Sequence, residues 1–123
     1  MKLYLSGPMT GRPNFNYDTF NEVAEELRQR FHQVINPAEI EFPDPGLNKN
    51  STETWAHYLS HAIRVMLDCS IIVLLPEWET SRGAVVEVNL ADVLNYHVFE
   101  LDMDTYQFKP TKYGNQDYTK VEM

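Results

Sequence analysis

The chain has a single cysteine, Cys69, so it can form no intrachain disulfide and no cysteine-based metal cluster. Placed just ahead of an apolar run, that thiol reads as buried rather than reactive. Basic residues are also scarce. Ten Lys and Arg stand against eighteen Asp and Glu, a formal net charge of −8 over 123 residues. That balance disfavours a nucleic-acid polymer or an acidic membrane surface as partner, but leaves room for a small phosphorylated ligand held by a local cradle of donors. No apolar run approaches membrane-spanning length, and the start, MKLYLSGPMTG, is too quickly broken by Gly and Pro to act as a signal peptide. The expected location is therefore cytoplasmic. With 43% hydrophobic residues the chain is long enough to bury one real core, as a single domain.

What is present centres on Ser70 to Ala91, SIIVLLPEWETSRGAVVEVNLA. Ser70 to Leu75 is the strongest strand signal, closed by Pro76, and a helical pattern opens near Arg82. In α/β folds, ligands collect at the carboxyl ends of strands that lead into such helices. Wound at 100° per residue, Arg82, Asn89, Asp92 and Asn95 fall on one polar arc interrupted by Val85 and Val88. Glu87 falls instead among Ala84, Leu90, Ala91 and Leu94. A carboxylate on an apolar face is costly unless something needs it there.

Around this unit the chain alternates strands and helices. Lys2 to Ser6 reads as a strand, Ser6 to Asn16 as a loop with two glycines and two prolines, and a helix follows with Asn16 as N-cap. Phe20, Val23, Ala24, Leu27 and Phe31 form its core-facing stripe. Gln33 to Asn36 is a short strand, Pro37 to Ser51 an irregular loop, Thr52 to Asp68 a second helix, and His97 to Leu101 a last strand. The pattern predicts an α/β fold: a small Rossmann-like parallel sheet of four to five strands with helices on both faces. Residues 1–101 form the domain, and 102–123 an irregular C-terminal tail placed to contact a neighbouring subunit.

Several residues admit two readings on pattern alone. Arg12, in the glycine-containing loop after the first strand, either meets a phosphate or sits in solvent on a turn stiffened by Pro8 and Pro13, and spacing favours the second. The loop lacks both the dinucleotide glycine spacing and the Walker lysine–hydroxyl pair. His57 and His61 are one helical turn apart, but with no third ligand in view a solvated face outweighs a metal site. Trp78 either stacks on a base or covers the end of the sheet. Glu87 serves either catalysis or an internal salt bridge or oligomer contact.

LYLSGPMTG at the start, NPA after the second strand and CSIIVLLPEWETSRGAVVEVNLA together resemble the nucleoside 2-deoxyribosyltransferase-like superfamily, specifically its small phage and bacterial members. The likeness runs from Met1 to Leu101. It implies a Rossmann-like sheet and cleavage of the N-glycosidic bond of nucleosides or nucleoside 5′-monophosphates. By the same resemblance Glu87 is the nucleophile that captures C1′, and Tyr4 orients it. Ser81, six residues before Glu87, resembles the phosphate-binding serine of the 2′-deoxynucleoside 5′-phosphate N-hydrolases, where the base-exchanging transferases carry aspartate. Ser6, Gly7, Gly11, Arg12, Ser81, Arg82 and Gly83 then surround the substrate, with Trp78 as a base-stacking wall. The superfamily's acid/base carboxylate has no counterpart: its place falls at Ala62, with His61 beside it as the substitute proton donor.

The resulting expectation is an N-glycosidase acting on a (deoxy)nucleoside 5′-monophosphate, requiring no metal or organic cofactor. The alternatives are a deoxyribosyltransferase, a nucleotide-binding protein without catalysis, and a pure interaction protein. The largely apolar third helix further predicts a homodimer or larger homo-oligomer.

Overall fold

Strand alternation decides this architecture. In the computed structural model, which describes residues 1–40 and 52–121, the first strand, β1 (Lys2–Ser6), is buried on both faces. Leu3 and Leu5 point to one side, and Tyr4 and Ser6 to the other. Helix α1 (Tyr17–Leu27) covers the first side with Phe20, Val23, Ala24 and Leu27, joined there by Ile71, Val73, Leu75, Phe99 and Leu101. The second side takes Tyr4, Ile72, Leu74 and Val98 against Met66 of α2 (Thr52–Met66) and Ala84, Val88 and Ala91 of α3 (Arg82–Val93). Each fully buried aliphatic side chain in these two layers contributes roughly 1.5–3 kcal/mol.

The remaining strands are β2 (Gln33–Ile35), β3 (Ile71–Leu74), β4 (His97–Leu101) and β5 (Phe108–Gly114), in the spatial order β2-β1-β3-β4-β5. The first four are mutually parallel, with Tyr4 opposite Ile35 on one flank and Ile72 on the other. The chain leaves β1 to build β2 on one side and returns to build β3 on the other. The carboxyl ends of β1 and β3 therefore flank a topological switch point, where open α/β sheets form their ligand crevice.

Two expectations are corrected. The tail is not irregular: residues 108–114 form β5, antiparallel to β4, so the sheet is mostly rather than wholly parallel. Phe108 and Val121 are buried in the α1-side core, with Tyr106 and Tyr118 packed against it. The FKPTKYG run hides its strand character because an edge strand tolerates a proline and two exposed lysines, which also discourage further pairing. Secondly, Asn16 occupies the cap position of α1 in a left-handed conformation, φ 62°, without capping it. Its amide instead donates to Pro8 O at 3.0 Å, closing the loop back on itself.

Elsewhere the boundaries follow the pattern closely. α2 ends at Met66 rather than Asp68, in a turn where Cys69 N donates to Met66 O. Asn36, at the end of β2, accepts from Ala38 N and donates to Asn21 Oδ1, which accounts for the asparagine of NPA as a turn cap. Of the loop expected over Pro37 to Ser51, residues 41–51 lie outside the described residues.

Candidate active site at the ends of β1 and β3

Because Tyr4 and Ser6 alternate with the α1-facing leucines, both point toward α3, and Glu87 comes down to meet them from its second turn. Ser6 is 1% exposed and Glu87 6%. Ser6 Oγ donates to Glu87 Oε1 at 2.8 Å. The other carboxylate oxygen, Oε2, is buried and has no hydrogen-bond partner among the described residues. Burial pushes the Glu87 carboxyl up to about 7, against the opposing pull of the Tyr4 and Ser6 hydroxyls. Tyr4 itself is held well above the ordinary phenol range, first by burial and then by the charge of Glu87. Its hydroxyl in turn favours the ionised form of the Glu87 carboxylate.

An unpaired, desolvated carboxylate oxygen is expensive to keep, since a buried acceptor without a partner costs roughly 1–3 kcal/mol. Among the described residues no salt bridge to Glu87 offsets it. Perturbed titration, burial and position at the switch point coincide on this one residue.

The loops above it are held together by ion pairing. Arg12 donates to Glu77 Oε2 at 2.8 Å and to Thr80 Oγ1 at 3.1 Å, so the loop after β1 is tied to the loop after β3. Gly7 marks a close approach of these segments, because a Cβ there would stand 2.8 Å from Leu75 Cβ. Gly11 adopts φ +83° and faces open space. Ser81 caps α3, its Oγ accepting from Ala84 N at 3.2 Å, and Gly83 follows in the first turn. The Arg82 guanidinium stacks over Trp55 of α2 at 4.5 Å, and Leu59 flanks Gly83, so the middle of α2 lies beside the start of α3.

The structure thus brings Tyr4, Ser6 and Glu87 together, and brings Arg12 onto the segment leading to Ser81. Trp78 is 8% exposed and belongs to the core on the α3 side, edge-on to Tyr113 with Nε1 donating to Glu100 at 3.3 Å, so it covers the sheet end. His61 is half-buried on α2, and Ser6 of β1 donates the hydrogen bond to Glu87 Oε1. Cys69 is buried, and burial raises its thiol to about 11. Among the described residues no group of three or more His, Cys, Asp or Glu is arranged to hold a metal ion. No helix there is long and apolar enough to cross a membrane.

Sequence reasoning missed that Ser6 grips the carboxylate and that Glu77 and Thr80 receive Arg12. The first was signalled by the two-residue spacing of Tyr4 and Ser6 in one strand. The second had no local signal, since the partners are 65 or more positions apart. A depression of about 510 Å³ lined by Lys2, Ile35, Arg64, Val65 and Asp68 opens near the amino end of β1, away from the Ser6–Glu87 pair.

Residues 1–100 match the domain of unknown function DUF4406, and the chain belongs to that family. The family is related to nucleoside deoxyribosyltransferase-like proteins. No curated protein matches the chain.

Proposed function

We propose that this DUF4406 protein is an N-glycosidase that cleaves the base–sugar bond of a (deoxy)nucleoside 5′-monophosphate with Glu87 as nucleophile. The observation that carries the reading is Glu87 Oε2: buried, without a hydrogen-bond partner among the described residues, and set at the switch point between the ends of β1 and β3. In the reaction Oε2 forms a bond to C1′ while the C1′–N bond breaks and its electron pair leaves with the base, which takes up a proton. Water then attacks C1′ as the Glu87–sugar bond breaks; its released proton balances the one taken up by the base, and the carboxylate is restored. An oxocarbenium-like transition state gains from a desolvated carboxylate beside it. Tyr4 orients the carboxylate and favours its ionised form, and no cofactor enters the scheme.

The α3 N-terminus supports a phosphorylated substrate. Helix N-termini favour anions, and Ser81, Arg82 and Gly83 sit there beside the loop that carries Gly7, Gly11 and Arg12. Water as acceptor gives hydrolysis, and a second base in its place gives deoxyribosyl transfer.

One observation favours a second reading. The position expected to supply a carboxylic acid is Ala62, so protonation of the departing base has no carboxylic donor there. A nucleotide-binding protein without catalysis would show this arrangement. Incubating the protein with a panel of nucleosides and 5′-monophosphates, with chromatography for free base and a melting curve for each ligand, separates the two. Free base supports the glycosidase. A ligand-dependent rise in Tm with no base released supports the binder. Val86, Val93 and Leu94, exposed on and just after α3, support a homo-oligomer, and sedimentation as a monomer at micromolar concentration would overturn it.

A further inference from the structure

We infer that Ser6 is a positioning residue for Glu87, fixing Oε1 so that Oε2 alone is presented to the sugar, rather than a contact to the substrate's phosphate. This rests on the glycosidase reading and specifies which oxygen attacks. Three observations carry it. The Ser6 hydroxyl is inside the protein, 1% exposed, and its 2.8 Å bond runs to the carboxylate. Its backbone is locked, since Ser6 O accepts from Leu75 N at 2.8 Å and Ser6 pairs in register with Leu74 of β3. The hydroxyl therefore enters from a rigid strand rather than from a loop that adapts to ligands. Finally, the two carboxylate oxygens are unequal: one is held by a donor and the other is unpartnered although buried.

A carboxylate that turns about its terminal torsion presents either oxygen, and this torsion is broad and nearly two-fold. A single fixed donor removes that freedom and keeps the second oxygen in one direction, which is what near-attack geometry requires. The same donor stabilises the ionised form, and Tyr4 is the one titratable side chain that shares this effect on Glu87.

The test compares Ser6→Ala and Ser6→Thr with the wild type. A hydrogen bond to a charged group is worth enough to change kcat by about tenfold or more and to move a pKa by about one unit. In Ser6→Ala, kcat for the 5′-monophosphate falls by that factor with KM unchanged, and the acid limb of the pH profile moves upward. Ser6→Thr, which keeps the hydroxyl, restores both. A rise in KM confined to phosphorylated substrates, with kcat and the acid limb unchanged, would instead make Ser6 a phosphate contact and overturn the inference. Carboxyl-carbon NMR titration of Glu87 supplies a readout that needs no turnover. An upward shift in Ser6→Ala upholds the Ser6–Glu87 link even when the wild type releases no base, a result that would sink the glycosidase reading alone. An unshifted titration would overturn the inference even when base release is rapid.

Discussion

Arg12 holds Glu77 at 2.8 Å, joining the loop that leaves β1 to the loop that leaves β3. The pair is partly solvated, with the Glu77 side chain 63% exposed, so its contribution to stability is small, roughly 0.2–1 kcal/mol. Its effect is expected in the geometry of the loops. Arg12→Ala should leave the melting temperature almost unchanged while raising KM for a 5′-monophosphate more than for the matching nucleoside. Equal changes in both KM values would show that Arg12 shapes the loops without favouring phosphate.

Glu87 makes the fold pH-sensitive in a direction opposite to that of a salt-bridged acid. Its folded value near 7 lies above the ordinary 4.5, so between those pH values the unfolded chain binds fewer protons than the folded one. Stability should then fall as pH rises through this window and level off above about 7, a cost of roughly 3 kcal/mol for a shift of this size. Glu87→Gln removes the ionisation. Denaturant melts should show the variant more stable than the wild type at pH 8 and equal to it at pH 4. A constant difference at both pH values would contradict the burial argument.

Ser81 has two jobs in the account, and they separate experimentally. As cap of α3 it accepts from Ala84 N, and replacement by alanine should cost about 1 kcal/mol. As part of the phosphate cradle it should also raise KM for monophosphates selectively. Ser81→Asp keeps a capping oxygen but adds negative charge, so it should preserve stability while weakening the monophosphate and sparing the nucleoside. Steady-state kinetics on both substrates, beside melts, check the two effects independently.

Gly114 ends β5 at φ +69°, and a Cβ there would stand 1.9 Å from Tyr96 O. Both strain and collision oppose a side chain, so Gly114→Ala should destabilise by about 2 kcal/mol or more. With Phe108 and Val121 buried beneath it, the C-terminal segment is part of the fold, and the loss should appear in a single cooperative transition. A melt indistinguishable from wild type would remove β5 from the core account.

The helices and parallel strands were legible because their periodicities are strong. The buried IIVL of β3 and the Phe20–Leu27 stripe of α1 admit few other placements. Glu87 stood out for a similar reason, as a charge on an apolar arc. β5 did not, because Lys109, Pro110 and Lys112 break its alternation and its partner strand precedes it by a turn that sequence does not mark. Trp78 was ambiguous locally and became a core residue only through Glu100 and Tyr113, contacts set by sheet order. The Arg12–Glu77 tie is likewise a product of topology, since β1 and β3 are neighbours in space and distant in sequence.

The most direct test of the central claim is base release from a 5′-monophosphate by the wild type and by Glu87→Ala, assayed side by side by chromatography across pH 5 to 9. The account predicts release by the wild type that rises with pH through about 7, as Glu87 ionises, and none above background from the variant. Release by the variant at the wild-type rate would contradict the assignment of Glu87 as nucleophile.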